Sequence, residues 1–267
     1  MILREKSSLY KRTWQKRRLQ LTFAGWLLGE HQEWTKHTNF DLPLRVPLMF
    51  YVPGVTAAKL PPGKSFPFRD ALAAAGREKP NNDQDQQPGP DSLTTESLVE
   101  AVDIYATLSD LAGLDVPPTC PPDPFRVSFC TEGYSFAPLI LNVRTTSPVK
   151  PSKTAKTGAV QWKKAVFSQY PRPSFLPARN TISPALESIR IMGYTMRTQT
   201  QRYTEWVAYQ PATFSANWSH VYATELYDYA KDPEGDYNVA DVPAYSQVVA
   251  QLAQRLREGW RKALPAH

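Results

Sequence analysis

The two cysteines are the residues of this sequence best spaced to react with each other. Cys120 and Cys130 are ten positions apart, at the ends of the stretch Cys-Pro-Pro-Asp-Pro-Phe-Arg-Val-Ser-Phe-Cys. A loop of this length can close as a local disulfide, but two separate thiols are equally compatible with the spacing alone. Disulfides persist in oxidising compartments, so a cross-link here would indicate a secretory protein.

The basic side chains could bind an anionic partner, but their distribution limits which one. The formal net charge of +6 lies entirely within residues 1–24, which hold seven basic residues and one glutamate. Terminal basic runs are more typical of solvated tails than of docking faces, so we expect no nucleic-acid partner. Residues 133–186 contain eight basic residues and no acidic one. For residues 150–156, where Ser, Thr, Pro and Ala dominate, the favoured interpretation is a solvated linker.

We expect neither a membrane span nor a signal peptide. No window reaches the ~20 apolar residues that a transmembrane helix requires. A signal peptide needs an apolar core of ~7–15 residues behind a short basic start, and basic residues interrupt residues 1–24 too often for such a core. With 267 residues, the chain is long enough for one large domain or two smaller ones.

The hydrophobic pattern of the first half predicts a strand and a helix. Residues 46–52 form an apolar run closed by Pro-Gly, which is typical of a buried strand in a central sheet. Residues 76–92 are rich in Asn, Asp, Gln, Pro and Gly, as in a surface loop. Apolar residues then recur at spacings of three and four until Gly113 ends the pattern. This spacing predicts a helix with one face on the sheet, formed by Leu98, Val102, Tyr105, Leu108 and Leu111.

The second half predicts a small antiparallel sheet with a packed helix. Residues 165–170 form a candidate strand, and residues 189–196 and 202–209 flank a polar connection, as in a β-hairpin. Residues 225–229 predict a further strand. An amphipathic terminal helix follows, because apolar side chains recur on one helical face at Val249, Leu252, Leu256, Trp260 and Ala263.

The segment Gly-Trp-Leu-Leu-Gly-Glu-His-Gln-Glu-Trp-Thr-Lys at residues 25–36 resembles an active-site segment of sulfatases of the alkaline-phosphatase superfamily. The resemblance is greatest to members that remove 2-O-sulfate from iduronate, and it covers roughly residues 25–240. Ser-Gln-Tyr-Pro-Arg-Pro at 168–173 and Ile-Met-Gly-Tyr at 191–194 also carry it. It implies an α/β fold, in which part of an alkaline-phosphatase-like sulfatase domain precedes a small C-terminal subdomain with an antiparallel sheet and a packed helix.

The resemblance also predicts how the chain is divided. Residues 1–24 are a basic segment without a counterpart in the family. Residues 25–155 correspond to the C-terminal part of the sulfatase catalytic domain, and residues 156–267 correspond to the C-terminal subdomain. We place the boundary near residue 155, because the family has a processing loop in this region.

Two parts of the family's catalytic centre have no counterpart in this sequence. In sulfatases the matched segment follows Ser-Asp-His-Gly, whose Asp and His help to hold calcium, whereas residues 22–25 here read Thr-Phe-Ala-Gly. Because calcium requires oxygen donors, we expect calcium in the complete family enzyme and no metal on this chain. The family's nucleophile is a formylglycine made from a Cys-x-Pro-x-Arg motif, which this sequence lacks. Cys120 begins a partial match, Cys-Pro-Pro-Asp-Pro, but the resemblance favours a disulfide between Cys120 and Cys130.

The resemblance supplies the candidate site residues. Lys36 matches the lysine that contacts the substrate sulfate in the family, and Trp26 is either a wall of the substrate pocket or a core residue. Arg172 and Arg202 could pair bidentately with the carboxylate or sulfates of a uronate chain. For Arg202, a structural role within the subdomain is the alternative. Asn217 begins an Asn-Trp-Ser glycosylation sequon that matches one in the family.

The resemblance implies a portion of a lysosomal sulfate-ester hydrolase that acts on iduronate-containing sulfated glycosaminoglycans. Because the nucleophile motif and the calcium carboxylates are missing, we expect the chain alone to be inactive. The alternative from another class is a non-catalytic protein that binds sulfated polysaccharide or partners a complete sulfatase.

Overall fold

The computed structural model describes residues 18–21, 25–52, 56, 95–123, 126–142, 160–176 and 183–265. The predicted surface loop at 76–92 and the predicted boundary near residue 155 lie outside these residues, as does most of the basic segment 1–24. The chain divides into two compact units. The first comprises residues 1–20, 48–96 and 104–160, and the second comprises residues 21–47, 97–103 and 161–267. The predicted division into three segments stays a prediction.

The described residues form strands and helices in the following order. The strands are β1 (Arg18–Leu21), β2 (Leu27–Leu28), β3 (Trp34–Thr35), β4 (Leu48–Tyr51), β5 (Val166–Arg172), β6 (Ile191–Arg197), β7 (Gln201–Gln210) and β8 (Ser215–Asp228). The α-helices are α1 (Asp41–Leu44), α2 (Asp103–Ala112), α3 (Ala137–Asn142), α4 (Ser246–Glu258) and α5 (Trp260–Ala263). β1 pairs with β4 and β2 with β3, while β5 to β8 form one four-stranded sheet.

The strand and helix predicted in the first half are present, but their burial differs from the prediction. β4 occupies part of the predicted buried strand, yet its side chains are half-buried or exposed. α2 begins at Asp103 rather than near residue 98, and Tyr105 on its predicted inner face is 53% exposed. The buried positions of α2 hold polar side chains together with two alanines, and Thr107 accepts a hydrogen bond from the Phe136 backbone N–H. The prediction of the inner face was wrong because a polar residue with a partner can be buried.

Cys120 and Cys130 are joined by a disulfide. The backbone on either side of it is also paired, because the Cys120 N–H donates to the Thr131 carbonyl and the Thr131 N–H donates to the Pro118 carbonyl. Of the two alternatives that the spacing left open, the structure therefore has the cross-link.

The second unit contains the predicted antiparallel sheet, in the order β5-β6-β7-β8. The hairpin is confirmed, because β6 and β7 pair across a short connection in which the Thr198 N–H donates to the Gln201 carbonyl. β8 is much longer than the strand predicted at 225–229. The predicted terminal helix is present as α4 and α5, which are separated at Gly259, where φ is 79°. Apolar side chains of the sheet and of α4 form the core, namely Met196, Tyr203, Leu226, Leu252 and Leu256.

The ladder between β7 and β8 is interrupted twice. Trp206 pairs with Ala223 but the next residue, Val207, pairs with Val221, so Tyr222 has no partner in β7. Ala208 then pairs with Asn217, which leaves residues 218–220 unpaired. Such bulges bend a strand and change the direction of its side chains.

A buried ion-pair cluster holds residues 97–103 against the segment that leads into β5. The Lys163 ammonium lies 2.6 Å from a Glu100 carboxylate oxygen and 2.7 Å from an Asp103 carboxylate oxygen. Glu100 also accepts a hydrogen bond from the Phe167 N–H, and the Trp162 indole donates to the Leu98 carbonyl. The bend at residues 97–103 is therefore fixed by side chains about 60 positions away in sequence. Within the described part of the chain, no helix has the length and apolar content of a membrane span.

Candidate functional site

The second unit contains a cavity of about 330 Å³. The segment before α1, the end of β5 and strands β7 and β8 supply its walls. Its lining combines aromatic and charged side chains, including Glu33, Phe40, Tyr170, Arg172, Phe175, Arg202, Trp206, Tyr222 and Glu225. Ligand sites commonly have this composition, with apolar walls and a few convergent polar groups.

Arg202 is held beneath the cavity by packing on both sides. Its guanidinium carbon lies 4.1 Å from the centre of the Phe40 ring and 4.4 Å from that of Tyr227, and the residue is only 1% exposed. Nη2 donates to Glu225 at 2.8 Å, whereas Nε and Nη1 find no hydrogen-bond acceptor among the described residues. These contacts match the structural alternative for Arg202. Its role in substrate binding stays a prediction.

Arg172 has a different environment, at the half-buried end of β5. Its guanidinium carbon lies 5.6 Å from the centre of the Trp206 ring, close enough for a cation–π contact. Within the described part of the chain, its guanidinium has neither a hydrogen bond nor an ion pair. Among the described residues, no acceptor occupies the donors of Arg172, and a guanidinium can hold a carboxylate or sulfate by two parallel hydrogen bonds.

Trp206, which lines the cavity, packs closely against Gly193. The two residues are paired across β6 and β7, and a Cβ added at Gly193 would lie 2.7 Å from the indole ring. The Trp206 indole N–H donates to Glu225 at 2.7 Å. The Gly193 carbonyl accepts a hydrogen bond from the Asn39 amide, which in turn accepts one from Ser168. These bonds position the segment before α1 against the sheet.

The charged groups around the cavity nearly balance. Arg172 and Arg202 contribute positive charge, while Glu33 and Glu225 contribute negative charge. Burial raises the pKa of the Tyr170 phenol, and the Glu33 carboxylate raises it further. The Tyr170 hydroxyl therefore stays protonated at neutral pH and can donate a hydrogen bond.

Lys36 and Trp26 do not line this cavity. Both side chains are exposed. Glu33 of the matched segment does line it, and so does His37, which follows Lys36 directly. His31 stacks on Phe40 with ring centres 3.9 Å apart.

Sequence reasoning missed several cavity residues, notably Glu33, Trp206 and Tyr222. The approach of Trp206 to a glycine could have been expected once β6 and β7 were paired. No sequence signal identifies Tyr222, because its position depends on the bulge. Asn217 lies on β8 with an exposed side chain, and its amide oxygen accepts the Ser219 N–H.

The described residues do not fit a calcium site. Among them, no group of three or more His, Cys, Asp or Glu side chains could hold a metal ion. Residues 22–24, which precede the matched segment, lie outside the described part of the chain.

The proteins to which this chain is similar include two iduronate 2-sulfatases and several solved structures. The iduronate 2-sulfatases of Homo sapiens and Mus musculus are each 42% identical to it, over 220 and 221 residues. Each match covers 80% of this chain and 36% of the relative. The chain thus spans about a third of the length of these relatives. No protein-family profile matches the chain.

Two of the similar structures are more distant in sequence than these relatives. One is a protein solved with its substrate D-glucosamine-2-N,6-O-disulfate, with 21% identity, a TM-score of 0.52 and coverage of 94% of this chain and 36% of that one. The other is a Bacteroides thetaiotaomicron protein assigned to the sulfatases, with 21% identity, a TM-score of 0.50 and coverage of 91% and 35%. These likenesses confirm the predicted fold class, part of the alkaline-phosphatase-like fold of sulfatases.

Proposed function

This chain is a homologue of iduronate 2-sulfatase, and from that premise we propose that it forms part of a sulfate-ester hydrolase for iduronate-containing sulfated glycosaminoglycans. The homology and the cavity of the second unit support this function. The dermatan and heparan sulfates carry such groups, and the lysosome is the proposed location. The complete enzyme would use calcium. The described residues contain no group of side chains that could hold this calcium ion.

We propose that the cavity binds one charged sugar of the substrate. Arg172 pairs with a sulfate or carboxylate, since its guanidinium is unpaired within the described residues and lies at the cavity wall. Tyr170 donates a hydrogen bond, and the rings of Trp206 and Phe40 cover the apolar face of the sugar. Arg202, which pairs with Glu225, holds the Phe40 ring in place. Lys36 contacts the sulfate that is removed, with Trp26 beside it, as the family resemblance implies.

The single observation that carries the binding proposal is the Arg172 guanidinium at the cavity wall, which has no hydrogen bond or ion pair with any described residue. Titration calorimetry with a 2-O-sulfated iduronate disaccharide tests it. We expect Arg172→Gln to weaken binding at least tenfold, because a charge-assisted bidentate contact is lost.

Arg255→Gln is the matched control, because Arg255 is an exposed arginine of α4 that does not line the cavity. It should change the affinity less than twofold. Equal affinities for Arg172→Gln and the unmodified chain would refute the assignment of this cavity.

We also propose that the chain alone does not hydrolyse the ester, because its sequence lacks the Cys-x-Pro-x-Arg motif from which the family's nucleophile is made. The test is sulfate release from the same disaccharide by the purified chain in the presence of calcium. Turnover above the uncatalysed rate would contradict the proposal.

The second candidate is a non-catalytic protein that binds sulfated polysaccharide or partners a complete sulfatase. The basic segment 1–24, which carries the entire net charge, favours it. Heparin-column retention should persist after deletion of residues 1–24 if the cavity binds the polysaccharide. Complete loss of retention would show that only the basic segment binds.

We propose that Asn217 is glycosylated when the chain passes through the secretory pathway. Its exposed side chain on β8 is accessible to a modifying enzyme. A gel shift that Asn217→Gln abolishes, in protein secreted from eukaryotic cells, is the expected result.

A further inference from the structure

Three ring side chains form a row beside the cavity. Phe175 and Tyr222 both line the cavity, and their ring centres are 5.9 Å apart. His220 continues the row, with its ring centre 4.5 Å from that of Tyr222. Phe175 is 61% exposed and Tyr222 is 39% exposed. Ring surface in this row is therefore open to a ligand.

The irregular ladder between β7 and β8 places these rings. Tyr222 has no partner residue in β7, because Trp206 pairs with Ala223 and Val207 pairs with Val221. His220 lies in the second unpaired stretch. Bulges of this kind occur beside binding sites, where they aim a side chain away from the regular alternation.

The size of the cavity limits how much of a saccharide chain can bind inside it. A volume of about 330 Å³ is near the lower end of the ~300–1,000 Å³ that is typical of ligand sites. A cavity of this size holds one sugar ring with its charged group rather than a stretch of polysaccharide. The next sugar of the chain must then lie outside the cavity, beside its exposed lining residues.

We propose that Phe175, Tyr222 and His220 form a second saccharide subsite, on which the sugar next to the one bound at Arg172 stacks. This inference rests on the proposed function and adds a preference for oligosaccharides over monosaccharides. The ligand group is the apolar face of a pyranose ring, whose C–H groups meet the negative face of the aromatic rings.

The test compares two probes, the methyl glycoside of iduronate 2-sulfate and a disaccharide that carries the same sulfated sugar. Calorimetry on the full chain should show that the disaccharide binds about tenfold more tightly, by the stacking of one ring. The double variant Phe175→Ala/Tyr222→Ala should weaken binding of the disaccharide about tenfold more than binding of the monosaccharide, so that the preference is lost. Tyr222→Phe keeps the ring and should keep the preference.

Two exposed aromatic residues outside the cavity serve as controls. Phe214→Ala and Tyr237→Ala remove exposed rings that do not line the cavity and should leave both affinities unchanged. Circular dichroism and a melting curve verify that each variant is folded.

The possible results separate the subsite from the function on which it rests. If the unmodified chain binds both probes equally, or if the double variant weakens both to the same extent, the subsite is refuted while the cavity assignment stands. If the unmodified chain binds neither probe, the proposed function fails, and the subsite fails with it.

Discussion

The two arginines of the cavity show how strongly the environment of a residue determines its role. Arg202 is enclosed by two rings and a carboxylate, so its removal would disturb the packing of Phe40 and Tyr227 as well as any ligand. Arg172 makes a cation–π contact with Trp206, and among the described residues its guanidinium has no hydrogen bond or ion pair. Substitution of Arg172 should therefore change ligand affinity alone, whereas substitution of Arg202 should change both ligand affinity and the stability of the fold.

Lys163 is the residue whose replacement should cost the most stability without changing the cavity. Lys163→Met leaves the buried carboxylates of Glu100 and Asp103 without their counter-charge. Removal of one partner from a buried ion pair costs about 3–5 kcal/mol. Urea denaturation followed by circular dichroism measures this change in the free energy of unfolding.

The neighbouring residue provides the control for Lys163. Lys164 is exposed, so Lys164→Met should change the free energy of unfolding by less than about 0.5 kcal/mol. Similar losses for the two variants would show that the buried cluster does not stabilise the fold.

At the scale of secondary-structure elements, the pairing of β6 with β7 also places the cavity residue Trp206 against Gly193. Gly193→Ala would place a methyl group 2.7 Å from the Trp206 ring, so the indole must move. We expect a loss of about 1–3 kcal/mol in stability, as for other overpacked sites, together with weaker disaccharide binding. Thermal denaturation and calorimetry measure the two effects.

A double-mutant cycle separates the clash between the added methyl group and the indole from other causes of the stability loss. In a Trp206→Ala background the added methyl group meets no ring, so Gly193→Ala should then cost much less than it does alone. Additive losses would contradict the proposed steric origin.

The sequence predicts this sheet better than it predicts the site. Residues 189–196 and 202–209 flank a polar connection in the manner of a hairpin, and β6 pairs with β7 as this pattern predicts. The inner face of α2 could not be predicted, because its buried positions hold polar residues that have partners distant in sequence. The orientation of the Tyr222 side chain could not be predicted either, because a bulge depends on the register between two strands rather than on the composition of either.

For the whole molecule, burial of tyrosine hydroxyls should limit stability at high pH. Burial raises the pKa of both Tyr194 and Tyr229 to about 12 from the ordinary value of 10.0. Each phenol is protonated in both the folded and unfolded states below pH 10, so its contribution to the free energy of unfolding is fully present there. Between about pH 10 and 12 only the unfolded state ionises, and stability falls by on the order of 2 kcal/mol per phenol.

Melting curves at pH 9 and pH 11 measure this alkaline loss. Tyr194→Phe should make the difference between the two melting temperatures smaller, whereas Tyr237→Phe, at an exposed tyrosine, should leave it unchanged. An unchanged difference in Tyr194→Phe would assign the alkaline loss to other groups.

The interrupted register of β8 has a consequence for how the molecule behaves at high concentration. β8 is an outer strand of the sheet, and a long outer strand with free backbone groups can recruit another chain into a fibril. Its two bulges break the even spacing of those backbone groups, and Asn217, a prospective attachment point for a bulky glycan, lies at the edge of the second bulge. The irregularity that aims Tyr222 therefore also makes the strand a poor template for polymerisation.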